Sequence, residues 1–98
     1  DTANWILDPG LGFCGGVEAD YACLRQLDTL RPFHRQVLVG VSRKSMIYKP
    51  LGLTPDTCLV PTQALQLYAL EHGAAILRTH DVRDTKYIVT LWNNIRNS

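Results

Sequence analysis

An α/β fold built on a parallel sheet is the class this sequence predicts, and three observations carry the prediction. Three short apolar runs, Trp5 to Leu7, Val37 to Val41 and Ala75 to Leu77, each break abruptly into a polar or charged cluster. Each is followed by a segment whose apolar residues recur every three or four positions, the helical period. The longest run, VLVGV, shows no in-and-out alternation, so it reads as a buried parallel strand delivering the loop SRKS to its carboxyl end. In repeated β/α architecture that end of the strands carries the chemistry.

The elements follow in order. Asp1 to Asn4 is polar lead-in to the first strand. Asp8 to Gly16 (DPGLGFCGG) holds four glycines and a proline in nine residues and is a turned loop. Val17, Tyr21, Leu24, Leu27 and Leu30 then give a helix with one apolar stripe, ending by Pro32. Phe33 to Gln36 turns the chain into the second strand. Ser45 to Tyr48 is one helical turn closed by Pro50-Leu51-Gly52. Thr54 as N-cap and Pro55 at the first helical position predict a helix start, with Thr57 to Val60 as its body. Pro61 either restarts that helix or kinks it. Thr62 to Glu71 is the firmer piece, with Leu65, Tyr68 and Ala69 on one face and Gly73 past its end. The third strand leads to Arg78-Thr79-His80-Asp81. The last helix runs from Arg83 to about Asn94, with Tyr87, Ile88, Leu91, Trp92 and Ile95 as its buried stripe, before a fraying tail at Arg96 to Ser98.

The order β-α-β-(α)α-β-α has too few strands to close a barrel, which takes about eight. Two open strand edges and an uncovered sheet face make this one partial domain over residues 1–98, expected to pair with a missing half or with itself.

Composition narrows the function. The 98 residues are 46% hydrophobic and 19% charged, ordinary for a globular domain. A net charge of +1, from 10 basic and 9 acidic residues without a block of either sign, gives no basic footprint for nucleic acid or a membrane surface. No run approaches the roughly 18 apolar residues of a membrane span, and no signal peptide is recognisable. Cys14, Cys23 and Cys58 are odd in number and widely spaced, which predicts free thiols in a reducing, cytoplasmic compartment, with Cys23 buried on its helix. His34, His72 and His80 are scattered, so no metal ligand set is assigned.

Three motifs together carry a resemblance. DPGxGF at Asp8 to Phe13, LVGxSRKS at Leu38 to Ser45 and RxHDV at Arg78 to Val82, each at a strand end, are similar to dihydropteroate synthase. The resemblance covers almost the whole chain. It implies the carboxyl-terminal portion of a (β/α)8 TIM barrel, strands six to eight with their helices. The SMIYKxLGxTP run at Ser45 to Pro55 resembles the version found in gut-type bacteria. Two positions depart from the family pattern: Gly15 stands where a lysine is usual, and Pro61 where a glycine is usual.

What the resemblance implies can be weighed residue by residue. Asp8 would pair with the N–H edge of a dihydropterin, a charge-assisted contact; otherwise Asp-Pro-Gly is a turn starter. Lys44 would reach the pterin carbonyl and ring nitrogen and border the p-aminobenzoate; otherwise it is a surface lysine. Arg78 would lie over the pterin and, with His80, hold the pyrophosphate, as two side chains on one face of an extended segment can. Ser45, Ser42 and Phe13 would meet p-aminobenzoate, although a serine at a strand end also caps helices and a lone loop aromatic also tucks under its loop. Arg43 points away if the backbone stays extended, and pairs with an acidic group of the helical shell. Asp81 is the N-cap of the last helix.

The implied reaction is displacement of pyrophosphate from the pterin methylene by the p-aminobenzoate amine, with Mg²⁺ whose ligands fall largely outside this chain. Two other readings stay open: a non-catalytic half-barrel that self-associates or complements another chain, and a small flavodoxin-like domain with an accidental anion site.

Overall fold

A computed structural model describes residues 5–97; the lead-in at 1–4 and Ser98 lie outside it. Three parallel strands, β1 (Ile6–Leu7), β2 (Gln36–Val39) and β3 (Ile76–Leu77), lie side by side with β2 in the centre. Register pairs Ile6 with Gln36, Leu7 with Val37, Leu38 with Ile76 and Val39 with Leu77. Side chains alternate across a strand, so this register sorts the sheet into two faces. Leu7, Val37, Val39 and Leu77 face the helices and join the core. Ile6, Gln36, Leu38 and Ile76 share the opposite face, where Ile6 is half exposed. The second strand is thus dry on one face only, and its pairing ends at Val39 rather than Val41.

Helix α1 (Val17–Arg25) is shorter than its stripe predicts. It passes at Gln26 into a 3-10 turn, Leu27–Phe33, which accommodates Pro32 and buries Leu27 beside Leu24. The short helix α2 (Ser45–Leu51) buries Met46 and Ile47, and Gly52, at φ 65°, closes it. The Leu53 N–H returns to Tyr48 O at 2.9 Å, the six-to-one bond of a left-handed helix stop. Pro50 lacks the N–H that would bond Met46 O, and the Tyr21 hydroxyl of α1 donates to that carbonyl at 2.5 Å instead.

The predicted start at Thr54 is overturned. Thr54 and Thr57 form a local turn, the Thr54 N–H donating to Thr57 Oγ1 at 3.0 Å, and helix α3 (Leu59–Glu71) begins after Cys58. Pro61 falls in its first turn, where N–H groups have no partner within the helix, so it neither kinks nor restarts anything. Gly73, at φ 109°, stands just past the end, as predicted.

Helix α4 (Val82–Arg96) continues two residues beyond its expected end at Asn94, taking in Arg96 of the tail expected to fray. Its expected buried stripe is also overturned. Tyr87, Leu91 and Ile95 are exposed, with only Ile88 and Trp92 half-buried. The fully buried residue of α4 is Thr85, which bonds to the buried Gln66 of α3, with Gln66 Nε2 donating to Thr85 Oγ1 at 3.1 Å. A polar pair therefore sits where α3 and α4 meet.

Candidate functional site at the carboxyl ends of the strands

All three motifs arrive at one end of the sheet. Asp8 follows β1, Arg78 follows β3, and Asp8 Oδ2 lies 3.8 Å from Arg78 Nη1 across the end of β2. Asp8 Oδ1 accepts the Gly10 N–H at 2.8 Å, so the turn-forming and ion-pairing roles coexist in one carboxylate. A hollow of about 150 Å³ is lined by Gly40, Ser42, Lys44, Arg78, Thr79 and His80. A larger cavity, about 470 Å³ and bordered by Arg31, Trp92 and Arg96, contains no group of the three motifs.

Gly40 makes the hollow possible. A Cβ there would stand 2.9 Å from Arg78 Nη2 and 3.1 Å from Nε, so the guanidinium rests directly on the glycine. Sequence reasoning did not single out Gly40, although a glycine inside a strand pattern signals close approach of another group.

After β2 the chain does not stay extended. Val41 to Lys44 is a turn closed by Lys44 N–H to Val41 O at 3.1 Å, with Arg43 at φ 56°, a left-handed conformation uncommon for a residue with a Cβ. The expected orientation of Arg43 holds for a different reason than an extended backbone. Its guanidinium leaves the hollow for Asp81, at 2.7 and 3.3 Å, and for Asp56 at 3.6 Å. Asp81 stands at the N-cap position of α4, as predicted, but its side chain makes no capping bond; the Arg43 bond takes its carboxylate instead and holds it below the usual carboxylate range. One ion pair thus straps the loop after β3 to the loop after β2.

Ser42 is buried and central. Its Oγ accepts the His80 N–H at 3.2 Å, lies 3.1 Å from His80 Nδ1 and accepts from Thr79 Oγ1 at 3.4 Å. Thr79 Oγ1 in turn meets Thr85 Oγ1 at 3.0 Å, so bonded groups run from Gln66 to His80. Ser45 is the first residue of α2, beside the same loop. Phe13 is 90% exposed and reaches none of these groups.

Lys44 bends toward the glycine loop, its Nζ donating to Leu11 O at 2.6 Å. Burial lowers its pKa first and the Arg78 charge second, while Asp8 and Asp20 pull it back up. Asp20, on α1, is 2% exposed and accepts the Gly12 N–H at 2.9 Å. It was missed because an acid in the first turn of a helix ordinarily reads as a response to the helix dipole. Cys23 is half-buried rather than fully buried; its thiol beside Cys14, ahead of burial, pushes Cys14 up to about 12, while the Cys14 thiol donates to Gly10 O at 3.4 Å.

Among the described residues no three His, Cys, Asp or Glu side chains converge on a point where a metal could sit. The acids nearest the hollow are already engaged, Asp8 with Gly10 and Arg78 and Asp81 with Arg43. No described helix is long and apolar enough to cross a membrane.

An acidic acceptor, a lysine, an arginine and a histidine gather at the carboxyl ends of parallel strands, the end at which repeated β/α folds of the barrel type carry their chemistry. The family model described as pterin binding enzyme matches residues 1–80, and the chain belongs to that family. Dihydropteroate synthase of Escherichia coli strain K12 is 40% identical over 80 residues, covering 82% of this chain and 28% of that protein. The Haemophilus influenzae synthase is 37% identical over 95 residues, 97% of this chain and 34% of that protein. The solved Yersinia pestis synthase with a pterine-sulfa conjugate superposes with a TM-score of 0.94 at 33% identity, covering 100% of this chain and 38% of that one. The chain therefore spans about a third of the relatives it matches. With the parallel sheet, these likenesses make the fold the carboxyl-terminal portion of a (β/α)8 barrel.

Proposed function

We propose that residues 1–98 form a single partial pterin-binding domain of a dihydropteroate synthase. In this reading the complete enzyme, rather than these residues alone, condenses 6-hydroxymethyl-7,8-dihydropterin pyrophosphate with p-aminobenzoate to 7,8-dihydropteroate and pyrophosphate, in the cytoplasm. The observation that carries the reading is the convergence of Asp8, Lys44 and Arg78 at one end of a parallel sheet, in a chain of the pterin binding enzyme family. Asp8 accepts the N–H edge of the pterin, Lys44 donates to its ring carbonyl, and Arg78 stacks over the ring. Arg78 and His80 receive the pyrophosphate, with Ser42 holding the His80 ring. Ser45, Lys44 and Ser42 offer donors to the p-aminobenzoate carboxylate, and the exposed Phe13 ring offers a face to pack against its aromatic amine.

No side chain is asked to be a nucleophile. The amine of the second substrate attacks the methylene while the cationic groups stabilise the departing anion, so catalysis here is positioning and electrostatics. The described residues do not fit a magnesium centre, so Mg²⁺ would take its ligands largely from strands beyond this chain. A second reading, a half-barrel that pairs with itself or another chain, is favoured by the uncovered sheet face of Ile6, Gln36, Leu38 and Ile76.

The test is turnover of the pterin pyrophosphate with p-aminobenzoate. A complete barrel carrying this sequence is expected to be active and its Asp8→Asn variant strongly impaired. The 98 residues alone are expected to bind pyrophosphate weakly and turn nothing over. An inactive complete barrel with intact folding would sink the catalytic reading and leave the pairing module.

A further inference from the structure

We propose that Asp20 is a positioning residue: it fixes the Leu11–Gly12 peptide of the glycine-rich loop, and through that peptide it sets where the Lys44 ammonium rests. The functional weight of this placement rests on the reading in which Lys44 faces the pterin.

The geometry is that of one peptide unit gripped at both ends. Gly10 to Phe13 is a turn closed by the Phe13 N–H to Gly10 O at 2.9 Å, with Gly12 at its third position and φ 94°. Turns of this kind exist in two forms that differ by a flip of the central peptide, here Leu11–Gly12, and only the form with positive φ at the third position favours glycine. The N–H of that peptide donates to Asp20 Oδ1 at 2.9 Å, and its C=O accepts from Lys44 Nζ at 2.6 Å. A flip would aim the carbonyl at the carboxylate and the N–H at the ammonium, replacing two charge-assisted bonds by two repulsions. An anion on one side and a cation on the other therefore lock a single orientation.

The Lys44 stem lies along the loop, its Cδ, Cε and Nζ each 3.5 Å from where a Gly12 Cβ would stand. Asp20 is held rigidly for this task, buried in the first turn of α1 with its own N–H bonded to Gly16 O at 2.9 Å. Leu11 O thus occupies the ammonium in the way a substrate carbonyl would. An incoming carbonyl must compete with it, and the firmness of the Asp20 grip sets the terms.

The test is NMR on the 98-residue chain, comparing wild type with Asp20→Asn and Asp20→Ala. In wild type the Gly12 amide proton is expected downfield and slow to exchange. Asp20→Asn keeps an acceptor of the same shape without its charge, so the Gly12 proton should move upfield and the Lys44 ¹³Cε signal should shift, while Val37 and Val39 amides stay in place. Asp20→Ala should raise Gly12 exchange at least tenfold. Unchanged Gly12 and Lys44 signals in Asp20→Asn would overturn the proposal, as would an effect spread evenly over β2, which would mark a purely structural acid. Titration of a complete barrel carrying this sequence with 6-hydroxymethylpterin, read at Lys44, separates the two claims. If pterin leaves Lys44 unmoved in wild type while the Asp20 effects appear, the positioning stands and the pterin reading falls.

Discussion

Replacing Gly40 by alanine should disarm the site without unfolding the protein. The new Cβ would sit 2.9, 3.1 and 3.2 Å from Arg78 Nη2, Nε and Cζ, each inside ordinary contact distance. The obstacle is the end of a flexible side chain, so the guanidinium lifts by a few tenths of an ångström or more while the backbone stays. Gly40 has no left-handed φ, so alanine meets no backbone strain there, and Gly→Ala at a compatible position gains about 0.4–1 kcal/mol through the unfolded chain. The Asp8–Arg78 pair it would loosen is at 3.8 Å and well exposed, worth at most about 1 kcal/mol. Stability should therefore change by less than about 1 kcal/mol in either direction. Anion binding should suffer more, because a charge-assisted hydrogen bond contributes about 1.5–3 kcal/mol, or roughly ten- to a hundredfold in affinity. Calorimetric titration of inorganic pyrophosphate into Gly40→Ala, beside Arg78→Ala, with thermal midpoints of both, measures this. Wild-type affinity in Gly40→Ala would refute the claim that Arg78 must rest on the glycine to act. Lost affinity together with a collapse of the midpoint would refute the claim that the effect is local.

Three further outcomes follow from the same geometry. In a complete barrel, Lys44→Ala should lower kcat/KM about ten- to a hundredfold at little cost in stability, whereas Arg43→Ala should lower the thermal midpoint first, because Arg43 points to Asp81 and Asp56; equal loss of activity at unchanged midpoint would place Arg43 in the hollow. The Asp81 carboxyl is held low by its bond to Arg43, so its contribution is complete above the unfolded value of about 3.9 and fades as pH falls through the lower folded value; the midpoint gap between wild type and Asp81→Asn should be full at pH 7 and close as pH drops below about 4, and a gap that persists at lower pH would remove the ion pair as its cause. Leu91→Glu and Ile95→Lys on the exposed stripe of α4 should lower the mass seen by sedimentation at micromolar concentration without lowering the midpoint, and wild type sedimenting cleanly at 11.0 kDa would show that the stripe needs no cover.

Much of this architecture was legible because strand ends announce themselves. The abrupt switch from VLVGV to SRKS, and from AIL to RTHD, located the pole before any coordinate did, and Asp8, Lys44, Arg78 and His80 all lie there. The groups that organise the pole were not legible, for a physical reason. Asp20, Gly40 and Asp81 act through partners 8, 38 and 38 positions away, at Gly12, Arg78 and Arg43. Local pattern assigns an acid near a helix start to the dipole or the cap, and only the folded loop shows that its carboxylate is needed elsewhere. The misplaced start of α3 has a similar origin. Thr54-Pro55 satisfies the rule for a helix start, but the Thr57 hydroxyl offers the Thr54 N–H a local bond, and the turn wins over the helix.

The reversal of α4 says more about what periodicity can establish. An apolar stripe at helical spacing shows that a helix has a face to hide, not what hides it. Here the contact of α4 with α3 is made around Thr85 and Gln66, residues a pattern reading sends to solvent, and their hydroxyl and amide satisfy each other. That bond continues through Thr79 to Ser42 and His80, so the polar choice at the helix interface is tied to the site above it. Replacing Thr85 by valine would keep the volume and cut the chain of bonds at its middle. The stripe of Tyr87, Leu91 and Ile95 is left free on the other side, as is the sheet face of Ile6 and Leu38. Both apolar surfaces lack a covering layer among the described residues, while the polar α3–α4 contact finds its partners within them. The helix packing that aligns His80 is therefore internal to these residues, and it does not depend on what covers the exposed stripe of α4.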